Sequence, residues 1–543
     1  MTSAGAAVVE LLAASGVRRL YTVPGESYLG VLDAAAGHPA VTVVSTRHES
    51  GAAFMAEAEA KLTGRPAVAL ASRGPGAANL AIGVHTARHD STPMVALLGQ
   101  VPLGASGREA FQEVDLCALY APLTKWSVRA TRADRVPGIV ADALRVAASG
   151  RPGPVAVELP ADVLLEEIDP ELWRSAVPRA GGADRCGSSP GRQELGEMAS
   201  LLRSARSPVA IVGAGGRRAR SELVAFAEAW GVGVYAAFRR QDVFPNEHRL
   251  YLGHLTLGTP DSNLAALRGA DLVLALGTRL SEVTTQGWRL PSPSQAAIQV
   301  DLDPRVLGAG AGLRLGVAAG VGATLAALLP EAPAEPPPRG HAAGHAAYMA
   351  ASTPPALPAA SGAGVHPAAV VSRVAAHLPE GAIVANDAGN FAAFLHRYLR
   401  YSAPLSQLAP TSGAMGYGVP AAVAACLVDP GRPVVAVVGD GGLLMTGNEL
   451  ETACRLGVAP VVVAMRNQLY GTIASHQLRS FGRTSGADIG PVDLAAWARG
   501  LGAVAWSIRT EDEIGPAMEA ALASGRPALL DVATDPEVLV PGD

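Results

Sequence analysis

An α/β protein of three consecutive blocks, each an open doubly wound parallel sheet, is what the sequence predicts, and three observations lead there. Short β-branched runs (VTVVS, PAVALAS, PMVALLG, PVAIVG, DLVLALG, PVVAVVG and PVVVAM) alternate with Ala/Leu-rich helical stretches. Unbroken apolar runs of that length, separated by helices, mark parallel strands buried on both faces. Two stretches interrupt the pattern: 178–192 (PRAGGADRCGSSPGR), rich in Gly, Pro and Ser, and 330–364, rich in proline and poor in large apolar residues. Such composition does not bury enough surface to order itself. The blocks are therefore 1–177, 193–329 and 365–543. The third observation is an internal repeat that relates the first block to the last.

The remaining composition fits this plan. A chain of 543 residues holds three to four domains at about 150 residues each. Hydrophobic residues at 49% and charged residues at 17% exclude disorder of the whole chain. Aromatics are 4%, so the cores are packed from small aliphatic side chains. The net charge of −5, with no basic run, argues against nucleic-acid binding. Cys117, Cys186, Cys426 and Cys454 form no CxxC pair, which argues against a disulfide framework and a structural zinc. The N-terminus, MTSAGAAVVELLAASGVRRL, lacks the basic start of a signal peptide and reads as an amphipathic helix. No apolar run approaches the ~18–20 residues of a membrane span. A soluble, cytoplasmic protein without a membrane partner is expected.

In block one, the strand VTVVS is followed by Thr46-Arg47-His48-Glu49 and a small-residue helix, SGAAFMAEAEA. Gly64-Arg65-Pro66 then opens PAVALAS, a glycine turn and helix follow, and Pro93 opens PMVALLGQ. In block three, Gly431-Arg432-Pro433 opens PVVAVVG, again a glycine turn and helix follow, and Pro460 opens PVVVAMRN. The offset is 367 at both ends. A second echo sets Ala148-Ser149-Gly150-Arg151-Pro152 against Ala523-Ser524-Gly525-Arg526-Pro527. Two ordered matches around one βαβ length imply a common architecture. Between them, the central block carries Gly213-Ala214-Gly215-Gly216 after PVAIV, half of a dinucleotide fingerprint.

The copies differ where chemistry would differ: Ser72-Arg73-Gly74-Pro75-Gly76 in block one, Gly439-Asp440-Gly441-Gly442 in block three. PVVAVVG delivers Asp440 to its C-terminal end, where glycines let a ligand approach the backbone, and a helix over Leu443–Leu456 is expected to follow. PVVVAMRN delivers Asn467 to its own end, 27 residues later. Parallel neighbours joined by one helix bring both ends side by side. A carboxylate and an amide oxygen beside a phosphate-ready turn suit Mg²⁺.

A GDG followed by an Asn just under thirty residues on resembles the signature of the thiamine diphosphate enzymes. The resemblance implies three domains in the order pyrimidine-binding, central and diphosphate-binding. It implies Mg²⁺ held by the side chains of Asp440 and Asn467 and the carbonyl of Leu469. Gly389 and Asn390 in NDAGNF match a loop that contacts the diphosphate, and Met415 in SGAMGYGVP matches the bulky residue under the thiazolium. Gly413, Gly439, Gly441, Gly442, Tyr470, Gly471 and Thr472 complete that half of the cofactor site. In block one Glu49 matches the catalytic glutamate, a carboxylate in a dry pocket on the pyrimidine ring. Gly25 and Glu26 in VPGESYLGVLDA, and Gly76 and Asn79 in RGPGAAN, lie around it.

The chain is most similar to the acetolactate synthase catalytic-subunit group, through DSTPMVALLGQVP and AFQEVDLCALYAPLTKWS. That similarity puts Phe111 and Gln112 at the active site, Gln112 as a hydrogen-bond partner of substrate or cofactor. His476, in GTIASHQ, stands where that group has a Trp and is a candidate proton donor; the other reading is a surface residue. His85 and His89, on a helix near the block-one site, are weighed the same way, with solvated helical histidines the commoner case. The group binds FAD in the central crevice, but its RFDDR segment is Arg279-Leu280-Ser281-Glu282-Val283 here. That departure favours a scaffold domain over an FAD site.

The implied activity is a thiamine- and Mg²⁺-dependent carboligase or decarboxylase: a pyruvate-type 2-oxo acid gives an enamine that passes to a second carbonyl acceptor. The alternatives are a specialised lyase or C–C hydrolase of the same family, an FAD- or nucleotide-dependent oxidoreductase, and an inactive regulatory homologue. Intact Glu49, Asp440 and Asn467 speak against the last. The family builds its site from block one of one subunit and block three of another, so a homodimer is the minimum assembly and a tetramer its extension.

Overall fold

The computed structural model describes residues 1–177, 188–355 and 364–542. Parts of both expected linkers, 178–187 and 356–363, lie outside the described residues, as does Cys186. The other three cysteines are free thiols. Among the described residues no helix is long and apolar enough to cross a membrane.

The described residues form twenty strands: β1 (Thr2–Ser3), β2 (Arg19–Thr22), β3 (Thr42–Ser45), β4 (Ala67–Ser72), β5 (Met94–Gln100), β6 (Trp126–Arg129), β7 (Pro154–Pro160), β8 (Glu167–Ile168), β9 (Pro208–Val212), β10 (Gly233–Ala236), β11 (Tyr251–His254), β12 (Leu272–Leu276), β13 (Ala296–Asp301), β14 (Leu315–Ala318), β15 (Ile383–Asn386), β16 (Gln407–Leu408), β17 (Val434–Gly439), β18 (Val461–Arg466), β19 (Val504–Ile508) and β20 (Ala528–Ala533). Apart from the short antiparallel pair β1–β8, they form three six-stranded parallel sheets. The orders are β3-β2-β4-β5-β7-β6, β11-β10-β9-β12-β13-β14 and β16-β15-β17-β18-β20-β19. The apolar runs are buried as expected: β5 and β7 are covered along their whole length, as are β9, β12 and β18.

The first and third sheets have the same strand order, and the repeat maps one onto the other. β4 and β17 start 367 residues apart, as do β5 and β18. The equivalence continues into packing. The helix Glu49–Thr63 follows β3, and Gly418–Val428 follows its counterpart β16; the two pack on each other in one shared core. Phe54 meets Tyr417 edge to face at 5.5 Å.

A buried polar knot ties the three sheets together. Lys61 lies 3.0 Å from Glu57 and 2.8 Å from Asp90, and Arg240 of the central block lies 2.6 Å from Asp90. Tyr417, in the third block, donates to Glu57 at 2.7 Å. Burial alone would raise the pKa of Asp90; Lys61 and Arg240 outweigh it and hold the carboxyl below its usual range. Asp90→Asn leaves two buried cations short of a partner, which costs about 3–5 kcal/mol. A lower unfolding temperature in calorimetry is the expected result.

Two sequence expectations need correction. The helix after Asp440 is not one unit over Leu443–Leu456: Asp440–Thr446 and Glu449–Leu456 are separate. The break falls at Gly447, where Trp497 presses so close that a Cβ would lie 2.7 Å from its ring. The proline-rich stretch 330–364 is also not without order. Residues Ala342–Ala351 form a helix whose Tyr348 is buried edge to face on Tyr251 at 4.9 Å. Arg339 donates to the Leu202 carbonyl at 2.9 Å, and His345 Nδ1 lies 2.8 Å from the Tyr251 carbonyl. One buried aromatic and these polar anchors offset the poor composition of the rest.

Candidate functional site

Both half-sites lie at the carboxyl ends of parallel strands, where open α/β sheets bind ligands. In the third block, β17 ends at Gly439 and Asp440 begins the next helix with its side chain 3% exposed. Its Oδ2 accepts from the Gln468 backbone N–H at 2.6 Å and its Oδ1 from Gly441 N–H at 3.0 Å. Burial raises its pKa above the ordinary carboxylate value, against those two N–H groups. Asn467 stands one residue past the end of β18, and its Oδ1 accepts from Leu469 N–H at 3.1 Å. Gln468 between them has φ +61°, a left-handed turn that brings Asn467 and Leu469 back toward Asp440. Asp440 and Asn467 therefore converge, as the strand spacing implies.

Four segments interlock around this pair. Asp387, at the end of β15, is buried, and its Oδ1 accepts from Gly418 N–H at the start of the helix after Met415. A Cβ on Gly442 would come 2.0 Å from Asp387 Oδ2, so only glycine fits. A Cβ on Gly471 would come 2.4 Å from Asn390 Oδ1. Thus the loops at Asp387–Asn390, Gly416–Gly418, Gly439–Gly442 and Asn467–Gly471 meet, with Gly413 and Met415 just before the second of them. Thr472 is exposed, while Met415 and Tyr470 are half-buried.

Burial raises Asp387 from its ordinary value to about 6, with the N–H groups of Gly418, Gly416 and Tyr417 acting the other way. A carboxyl that holds its proton more tightly folded than unfolded costs stability as pH rises from about 4 through 6. Asp387→Asn removes that slope. Thermal unfolding of the cofactor-free protein is expected to give the variant the higher Tm at about pH 8, with the advantage gone near pH 4.

In the first block Glu49 is the first residue of the helix Glu49–Thr63, after β3. His48 caps that helix: its Nδ1 accepts from Ser50 N–H at 3.2 Å. Asn79 Nδ2 donates to Glu49 Oε2 at 2.9 Å, and a Cβ on Gly76 would lie 3.2 Å from Oε1. Gly25 lies against Ser72, and Glu26 pairs with Arg73 at 2.7 Å. Gln112 has φ +65° and is exposed, and its carbonyl accepts from Gly74 N–H at 3.0 Å. Glu49, Gly76 and Asn79 meet directly, and Gln112 sits on the loop over the same helix start.

The expected dry pocket is not complete in one chain: Glu49 is half-buried and Asn79 exposed. Large apolar side chains stand uncovered near both half-sites. Ile82 is 41% and Phe111 75% exposed in block one; Met445 is 48%, Ile473 50% and Phe481 75% exposed in block three. His476 is exposed, one turn beyond Thr472, and accepts from Arg479 Nη2 at 3.2 Å. The rings of His85 and His89 lie 4.4 Å apart, tilted by 47°. They lie toward the far end of the helix Arg73–Asp90, away from Asn79, and His89 lines the central crevice instead. The expectation that both lie near the block-one site is corrected for His89 alone, which stands about three helical turns beyond Asn79.

The central crevice has a volume of about 560 Å³ and opens beyond the ends of β9 and β12. Gly213 and Gly215 are used by the fold, packed against Gly277, and Arg279 reaches across to the His89 carbonyl.

Sequence reasoning passed over Glu449 and Asp387, both buried beside the half-sites. Asp387 stands inside the NDAGNF segment and could have been found there. Glu449 follows GDGG by seven residues and carries no local signal.

Comparison with known proteins yields three family matches. Residues 2–119 match the thiamine pyrophosphate enzyme N-terminal TPP binding domain, 195–328 the central domain, and 387–532 the C-terminal TPP binding domain. The chain is 30% identical to a probable acetolactate synthase large subunit of Methanocaldococcus jannaschii, over 98% of this chain and 92% of that protein. It is 29% identical to the acetolactate synthase isozyme 1 large subunit of Escherichia coli, over 98% and 93%. Among solved structures it resembles a thiamine diphosphate-dependent 4-hydroxybenzoylformate decarboxylase of Rhodococcus jostii. That likeness has a TM-score of 0.86 and 26% identity, over 98% of this chain and 99% of the other.

Proposed function

The chain belongs to the thiamine pyrophosphate enzyme family, and on that premise we propose that it is a Mg²⁺-dependent carboligase of 2-oxo acids, with an acetolactate-type condensation as its reaction. The observation that carries this reading is the placement of Asp440 and Asn467 at two neighbouring strand ends, tied through the Gln468 N–H, with Glu49 and Asn79 bonded at the carboxyl end of the repeated sheet. The blocks 1–177, 193–329 and 365–543 serve as pyrimidine-binding, central and diphosphate-binding domains.

The donor chemistry fits the proposed metal. One carboxylate, one amide oxygen and one backbone carbonyl form a hard oxygen set that leaves room for phosphate oxygens and water. The buried Asp440 carboxylate bears a desolvation cost that a cation relieves.

Bound thiamine diphosphate supplies an electron sink for the pair left when a 2-oxo acid loses CO₂. The chain's residues do the rest. Asp440, Asn467 and the Leu469 carbonyl would hold Mg²⁺. Gly441 and Gly442 would let the diphosphate approach the backbone, and Gly389 and Asn390 would contact it from the neighbouring loop. Gly413 and Met415 support the ring system. Glu49 would hold and pass a proton at its carboxylate beside the pyrimidine ring, its Oε2 fixed by Asn79. Gly25, Glu26 and Gly76 shape the surrounding wall. Gln112 and His476, both exposed, would face the substrate from the first and third blocks. Glu49 dries only when a second chain covers it, so the working unit is a homodimer at least. The central domain takes the scaffold role, without FAD in the reaction.

Incubating the protein, thiamine diphosphate and Mg²⁺ with a panel of 2-oxo acids and aldehydes tests this. Release of CO₂ from pyruvate with formation of 2-acetolactate is expected. No CO₂ from any 2-oxo acid would overturn it. The full-length likeness to the Rhodococcus jostii decarboxylase favours one second reading, simple decarboxylation; free aldehyde without a ligation product would select it.

A further inference from the structure

One buried carboxylate joins the two half-sites of a single chain. Glu449 opens the helix Glu449–Leu456, nine residues after Asp440, and is fully buried. Its Oε1 accepts from the backbone N–H groups of Arg47 at 2.9 Å and His48 at 3.2 Å. Its Oε2 accepts from the Thr452 hydroxyl at 2.6 Å. Arg47 and His48 are the two residues before Glu49. The same helix closes on this turn twice more. Glu451 Oε2 pairs with Arg47 Nε at 2.6 Å, and the Arg455 guanidinium donates to the Ser45 carbonyl. Gly51 leaves the space: a Cβ there would lie 2.4 Å from Glu449 Oε1.

Capping alone does not explain the arrangement. The helix that begins at Glu49 already has a local cap in His48 Nδ1. A carboxylate from 400 residues away, buried at a desolvation cost, adds nothing the helix needs in order to form. What it adds is a fixed distance between the turn Arg47–Glu49 and the block that carries Asp440.

We propose that Glu449 is a positioning residue: it clasps the Arg47–His48 turn from the third block and thereby fixes where the Glu49 carboxylate stands. This rests on the reading of Glu49 as the group at the pyrimidine ring. The clasp is formed within one chain, whereas Glu49 works on a cofactor held by the other. It therefore belongs to the frame of Glu49 and not to the grip on the cofactor.

Three variants of the full chain test the proposal: Glu449→Ala, Glu449→Gln, which keeps one acceptor oxygen, and Gly51→Ala, which pushes on the carboxylate from the opposite side. The first readout is amide hydrogen exchange of the cofactor-free protein. Glu449→Ala and Gly51→Ala are expected to speed exchange around Arg47–His48 about tenfold or more, with residues 54–63 unchanged and Glu449→Gln near wild type. The second is a split between turnover and binding. Turnover is expected to fall about 10–100-fold in the Ala variants while thiamine diphosphate affinity, measured by fluorescence titration, stays within about twofold. Wild-type exchange in both Ala variants, or equal losses of affinity and turnover, would overturn the clasp. If exchange quickens as expected but Glu49→Gln turns over like wild type, the clasp stands and the reading of Glu49 falls.

Discussion

Replacing Asp440 by Ala is expected to weaken Mg²⁺-dependent binding of thiamine diphosphate by more than about a hundredfold, because loss of a ligand exceeds the 10–100-fold typical of a residue that only supports one. Isothermal titration with and without Mg²⁺ measures this. Stability should move the other way. The carboxylate is buried and its pKa is raised, so its charge costs the empty protein free energy at neutral pH. Asp440→Asn keeps an acceptor for Gln468 N–H and removes the charge. The cofactor-free Asn variant is therefore expected to unfold at or above the wild-type temperature. A residue that lowers stability in order to bind is what a ligand-holding role implies. Unchanged Mg²⁺-dependent binding in Asp440→Ala would remove the metal assignment.

Replacing Glu49 by Gln is expected to lower kcat by about 10²–10⁴, the range for loss of one positioned proton-transfer group. The amide keeps the shape and can still meet Asn79, so the turn and the helix stay as they are. Affinity for thiamine diphosphate should change little, since the diphosphate end is held by another block. Steady-state kinetics beside a binding titration separates the two effects. Wild-type turnover in Glu49→Gln would mean that the block-one half-site has another purpose.

Much of this was legible in the residues, for physical reasons that also set the limit. Strands buried on both faces leave unbroken apolar runs, so β5, β9, β12, β17 and β18 could be read directly. The repeat at an offset of 367 carried the equivalence of the two sheets, and with it the placement of Asp440 and Asn467 at adjoining strand ends. Local rules failed where tertiary contacts decide. Gly447, at the helix break, packs against Leu443 and against Trp497, fifty residues on. The helix Ala342–Ala351 owes its order to one tyrosine on Tyr251, which an average over a proline-rich stretch conceals. His89 could be placed on a helix but not at the right end of it relative to Glu49. Glu449 reaches a turn about 400 residues away, and no spacing within the sequence foretells that contact.

The central claim is that one catalytic centre takes its carboxylate base from one chain and its metal ligands from another. Co-expressing Glu49→Gln chains with Asp440→Ala chains tests it directly, since each variant alone is inactive. If the site is shared, mixed dimers contain one centre with both residues intact, and activity returns to about a quarter of wild type in a random assortment. If each chain builds its own centre, the mixture stays as inactive as its parents, and the account is wrong.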